Sequence, residues 1–235
     1  MRRRTNQTAG SYSSLVSGRP LGRAPVVDAA AAVLLALLIL SASVTFVLNF
    51  RPLYTLVVDN LDIPAAADLS EQEVYENYDA LIQYNSLFTR SELVFPSLAM
   101  SDGGRQHFRE VKRIFAALQV VLIVTALCVP ILLFLRRRNA KGILVGGGIV
   151  AVGLPVIAFL ILLAAGWQRF FVGFHRLFFS NDLWIFDAGT DPVILILPDA
   201  YFMYCLIGIL ALTIFLSAMF VLIGLRLGRR RRSWI

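Results

Sequence analysis

AYFMYCLIGILALTIFLSAMFVLIGL, Ala200 to Leu225, is a stretch without a single charged side chain. At about 1.5 Å of rise per residue a helix of this length reaches about 39 Å, more than the roughly 30 Å hydrocarbon core of a bilayer. Three further runs share its character: Ala29 to Phe50, Ile114 to Leu135 and Ile143 to Gly166 are also uncharged. Lipid offers no water to unpaired backbone groups, so a helix is the economical form for all four. A hydrophobic fraction of 58% and a mean hydropathy of +0.73 agree. The predicted fold class is an all-α membrane protein with four transmembrane helices, both termini cytoplasmic, and two extracytoplasmic connections that contain short amphipathic helices.

The first run follows an arginine-rich start, as a cleavable signal would. Its apolar core is too long for one, and Asn49-Phe50-Arg51-Pro52 offers no small-residue cleavage pattern, so it reads as an uncleaved anchor. Orientation follows the basic residues, which are retained in the cytoplasm. The N-terminal tail (Arg2, Arg3, Arg4, Arg19, Arg23), the hinge (Arg136, Arg137, Arg138, Lys141) and the C-terminal tail (Arg226, Arg229 to Arg232) hold most of the 22 Lys and Arg residues. Nearly all 15 acidic residues fall instead in residues 51–113 and 167–199, which are expected outside. The net charge of +7 is thus a topology signal and a contact for anionic headgroups. Nucleic acid is excluded as a partner, because the cations are split among membrane-flanking clusters without interleaved aromatics.

Residues 1–28 and 229–235 read as basic cytoplasmic tails flanking a four-helix domain over 29–228; the first tail is too poor in large apolar groups to order itself. Beyond the first span, Tyr54 to Val58 is a β-branched run expected to extend along the membrane surface. Ser70-Glu-Gln-Glu73 has the form of a capping box, and Val74, Tyr78, Leu81, Ile82 and Asn85 follow at helical spacing, which predicts an amphipathic helix over 70–87. Phe95 to Gly104 reads as a turn, with two glycines able to take positive backbone angles. Residues 105–113 then continue into the second span as one helix. Pro130 and Pro155 are expected to bend their spans without ending them. In the third span Gly142, Gly146, Gly147, Gly148, Ala151 and Gly153 are small residues that allow close helix packing. Cys128 and Cys205 lie inside spans and read as core residues.

Chemistry is sparse outside the spans. The chain has two histidines, His107 and His175, and both fall on the side expected to be outside. His107 shares a helix face with Glu110 and Val111, yet spacing alone favours a solvated histidine at headgroup level. His175 borders a stripe of Phe171, Phe174 and Phe178, which would set it against acyl chains. An aromatic belt explains Trp167, Trp184 and the phenylalanines, but not a titratable ring on that border. Ser180-Asn-Asp182 and Asp187-Ala-Gly-Thr-Asp191-Pro192 are turn signals whose aspartates most often cap helices. No cysteine lies outside the membrane and no Gly-x-Ser-x-Gly elbow occurs, so a thiol or serine nucleophile lacks support. The histidines lie far apart in sequence, with no metal-ligand spacing, so a site of His107, His175 and an aspartate ranks below a metal-free pair. Two imidazoles in a lipid-facing site suit general acid and base work on an amphiphilic substrate. The rival readings are a non-enzymatic membrane protein that binds a lipid or protein partner, and a metal-dependent lipid hydrolase.

Several motifs together resemble one family. They are Tyr78 to Tyr84, Phe95-Pro96-Ser97, Ser101, the Gly-Gly pair and His107-Phe-Arg-Glu-Val-Lys112, then Phe174-His175, Phe178-Phe179, Asn181, Trp184, Phe186-Asp187, Asp191 and Leu197-Pro198. The pattern is similar to the bacterial lipoprotein intramolecular transacylase (Lit) family over roughly residues 30–225. The resemblance implies transfer of the sn-2 acyl chain from the diacylglyceryl group of a lipoprotein's N-terminal cysteine onto that cysteine's α-amino group. It implies two extracytoplasmic catalytic histidines, which map onto His107 and His175, in a bacterial cytoplasmic membrane. Glu110, Ser101, Arg176, Asn181, Asp182, Asp187 and Asp191 are the candidates for orienting the rings or touching substrate. Membrane lipid and a bacterial lipoprotein are the expected partners, with no cofactor and no metal.

Overall fold

The computed structural model describes residues 24–230; of the predicted tails at 1–28 and 229–235, residues 1–23 and 231–235 lie outside the described residues. Four long helices carry the uncharged runs: α1 (Ala24–Leu48), α5 (Asp102–Leu135), α6 (Ala140–Ala165) and α9 (Asp199–Arg230). Between α1 and α5 lie α2 (Arg51–Leu61), α3 (Ile63–Ala67) and α4 (Glu71–Tyr84). Between α6 and α9 lie α7 (Trp167–Phe178) and α8 (Val193–Ile196). No strand occurs among the described residues.

Helix α1 is the post of the bundle, packing against α5, α6 and α9. It begins at Ala24, so residues 24–28, assigned from composition to the tail, are helical. Pro25 suits a first turn, where its missing N–H is not needed. Asp28 then closes the hinge end of the bundle: its carboxylate accepts from Arg136 Nε at 2.8 Å and from Asn139 Nδ2 at 2.6 Å. Leu35, Ala36 and Ile39 pack with Val129, Leu144 and Ala151 in the middle of the bundle. At two glycines this packing requires the absence of a side chain. A Cβ on Gly147 would stand 2.8 Å from the Ala32 carbonyl oxygen, and one on Gly148 would stand 2.9 Å from that of Ser217. Gly142 and Gly153 have open space instead, so only part of the predicted small-residue surface is used. Helices α5 and α6 run unbroken through Pro130 and Pro155.

A second core lies outside the bundle and is built largely from the two long connections. Tyr54 to Val58, expected extended, is helical. Pro52 stands in the first turn of α2, and Tyr54, Val57 and Val58 are buried, a 3–4 spacing that makes one helical face and no strand face. Tyr54 stacks on Tyr78 with centroids 3.7 Å apart and donates its hydroxyl hydrogen to the Ile196 carbonyl at 2.9 Å. The capping box forms as predicted: Ser70 Oγ accepts from Glu73 N–H, and Glu73 accepts from Ser70 N–H at 2.9 Å. Helix α4 ends at Tyr84, three residues before the predicted end. Its Asn77, fully buried, donates to the Glu73 carbonyl and to Ser97 Oγ, which pins the segment leading to α5.

Candidate active site

The Gly103-Gly104 pair is the first turn of α5; neither residue has a positive φ. Ser101 is the N-cap, its Oγ accepting from Gly104 N–H at 2.9 Å. The glycine is needed for another reason: a Cβ on Gly104 would run into the carboxylate of Asp191. Asp191 is buried, accepts from Ser101 N–H at 2.8 Å and from Thr190 Oγ at 2.8 Å, and so latches the second connection onto the start of α5.

This latch delivers the second connection to the helix turn that carries His107. His107 is 5% exposed, so burial has overturned the solvated reading that its spacing favoured. Its ring packs against Phe179 (4.7 Å between centroids) and Phe186 (5.5 Å), and its Nδ1 has no hydrogen-bond partner among the described residues. The hydrophobic surroundings, reinforced by the neighbouring His175 and opposed by Glu110, hold its pKa down at about 4.

His175 lies near the end of α7, which begins at Trp167 after the N-cap Gly166. The glycine's φ of 80° lets the chain turn from the end of α6 into a helix with one aromatic and one polar face. The ring does not lie open against lipid. It stacks on Trp184 (4.6 Å, 25°) and contacts Phe171 (4.2 Å) and Phe179 (5.9 Å), while Phe174, Leu177 and Phe178 hold the exposed edge. Its Nδ1 lies 2.8 Å from the Phe171 carbonyl oxygen. A carbonyl only accepts, so Nδ1 carries the hydrogen and Nε2 carries the lone pair of the neutral ring. Burial lowers this pKa also, with the Phe171 carbonyl working against the shift.

The two rings stand 6.3 Å apart between centroids with 34° between their planes. That is too far for a ring-to-ring hydrogen bond and near enough for one small reacting group to meet both. Glu110 does not orient His107 by a hydrogen bond; both its oxygens accept from Asn181 Nδ2 at 3.1 Å. Asp187 caps a turn through Gly189 N–H at 2.7 Å, and Asp182 is exposed, so neither bonds to a histidine. Arg176 is exposed on the polar face of α7. The contribution of Trp184 was hidden in sequence, where a stacked tryptophan and a membrane-belt tryptophan look alike. Among the described residues no group of three His, Cys, Asp or Glu side chains is placed to hold a metal ion.

Residues 29–202 match the sequence model of the family described as "Lipoprotein intramolecular transacylase Lit". The chain belongs to the Lit family. Its fold superimposes on the solved structure of the membrane-integral lipoprotein intramolecular transacylase Lit from Bacillus cereus with a TM-score of 0.84 and 33% identity, covering 89% of this chain and 97% of that one. A form of the same protein with one histidine replaced by arginine matches at a TM-score of 0.80 and 32% identity, covering 90% and 94%. No curated protein matches the sequence. As a Lit-family member the chain is a membrane-integral protein, and its four long helices agree with that.

Proposed function

We propose that this Lit-family chain moves an acyl chain within a lipoprotein, from the sn-2 ester of the diacylglyceryl group to the α-amino group of the same N-terminal cysteine, at the outer leaflet of a bacterial cytoplasmic membrane. The observation that carries the reading is the pair of imidazoles packed among aromatic rings, the only two histidines of the chain, brought together from separate connections. The basic residues at the hinge and in the two tails support an orientation with both termini in the cytoplasm and the pair outside.

The geometry gives the two rings different work. His175 has a fixed tautomer with Nε2 free to accept a proton, and its imidazolium is supported by the Phe171 carbonyl and the face of Trp184. It takes the proton from the amine as nitrogen attacks the ester carbonyl, then gives it to the departing sn-2 oxygen. One C–N bond forms, one C–O bond breaks, and the proton ends on the new hydroxyl. His107 is more deeply buried and resists protonation, so it serves as a neutral N–H donor toward the oxyanion. The aromatic walls exclude water, which would otherwise compete with the amine for the ester.

The test is expression in a host that makes diacylglyceryl lipoproteins but does not N-acylate them, with the acyl position read by mass spectrometry. The reading predicts an N-acylated lyso form in place of the diacyl form. An unchanged diacylglyceryl lipoprotein, with the protein present in the membrane, would refute it.

A further inference from the structure

Asn181 makes no hydrogen bond to either histidine, yet its bonds join the two elements that carry them. Its Nδ2 donates to Oε1 and Oε2 of Glu110, one turn beyond His107 on α5. Its Oδ1 accepts from Leu183 N–H at 3.1 Å, and its backbone carbonyl accepts from Trp184 Nε1 at 3.1 Å. The Trp184 ring in turn lies flat on His175. Contacts therefore pass from the helix of His107 through Glu110, Asn181 and Trp184 to His175 without a gap. The latch at Ser101 and Asp191 fixes the second connection to α5 on the other side of His107, so Asn181 closes the bracket around that ring.

We infer that Asn181 is a positioning residue that sets the separation and tilt of the two imidazoles, through Glu110 on one side and Trp184 on the other. Its effect on rate rests on the transacylase reading; its effect on His175 rests on the hydrogen bonds and the Trp184 stack alone. A carboxylate with an amide donor on both oxygens is well satisfied, and a second carboxylate in place of the amide is not. Asn181→Asp keeps the acceptor for Leu183 and removes the donor toward Glu110. Glu110→Gln in the same chain supplies a donor from the opposite side and restores the bond with its direction reversed.

The experiment pairs two readouts. Steady-state kinetics with a synthetic diacyl lipopeptide should show kcat of N181D lowered by about 10²-fold with little change in KM, as expected for a displaced catalytic group. The double variant E110Q/N181D should recover most of that loss. Independently, ¹⁹F NMR of protein labelled with 5-fluorotryptophan, with the Trp184 signal assigned through W184F, should show that signal shifted in N181D and returned in the double variant. Should N181D fail to accumulate, Glu110→Ala leaves Asn181, Trp184 and His175 in place and should still move the Trp184 signal. The inference is overturned by an unmoved signal in N181D or in Glu110→Ala, or by a double variant no better than N181D. An inactive wild-type chain with a responsive Trp184 signal would count against the transacylase reading and leave the positioning role standing.

Discussion

His107 and His175 are kept neutral by burial, and that sets how each responds to acid. Both pKa values lie below the ordinary 6.5, that of His107 at about 4. Between those limits the unfolded chain binds more protons than the folded one, so stability should rise with pH across the window from about 4 to 6.5 and level off above it. With two histidines in the chain, ¹³C-histidine NMR of an untagged protein should show two titrating ring signals. Both midpoints should fall below 6.5; a midpoint at or above 6.5 would contradict the burial account. Replacing either ring by alanine should lower activity by about 10²–10⁴-fold, the range of a lost general acid or base, without loss of the protein from the membrane. The identity of this pair was legible in sequence because the chain has only two histidines and both fall in the segments expected outside. Its burial was not, since helical spacing fixes which face a side chain shares and says nothing of what packs over it.

At the level of elements, the pair depends on how the second connection is docked on α5. Gly104→Ala would push the Asp191 carboxylate off the N-cap, and such overpacking costs typically about 1–3 kcal/mol. Gly103→Ala meets only ordinary contact at 3.4 Å from Leu183 and should be tolerated far better. Thermal unfolding of the two variants in detergent measures the difference; equal losses would show that the latch is not what Gly104 serves. On α4, Ser70→Ala removes the hydroxyl of the capping box and should cost about 0.5–2 kcal/mol in the same measurement. The capping box was readable because its four residues are local and their chemistry is reciprocal. The turn expected around Gly103 and Gly104 was misread because a glycine that admits a positive φ and one that admits a neighbour look identical in sequence. Tyr54 to Val58 misled for a related reason: β-branched content suggested a run extended along the membrane surface, whereas burial of Tyr54, Val57 and Val58 against the tyrosine cluster favoured a helix.

Taken whole, the molecule is a four-span bundle with a second core of connections seated on one end. The spans were the most legible part of the chain, because length and the absence of charge decide them without reference to any partner. The seating of the connections was not legible, because it depends on contacts between residues such as Ser101 and Asp191 that lie far apart along the chain. If the basic clusters orient the bundle as proposed, a cysteine at the exposed Phe88 should react with an impermeant maleimide applied to intact cells. A cysteine at Lys141, in the hinge, should react only after the membrane is opened. The reverse pattern would put the histidines on the wrong side for a lipoprotein held at the outer leaflet. The central claim is that the two imidazoles together shift an acyl chain within one substrate molecule. It is tested most directly by crossover: purified protein is given an equal mixture of lipopeptides, one deuterated in both the sn-2 acyl chain and the peptide, the other in neither. Mass spectrometry of the N-acylated product should find fully labelled and unlabelled species with no mixed ones, and H175A should give almost no product. Mixed species, or product formed by H175A at the wild-type rate, would contradict it.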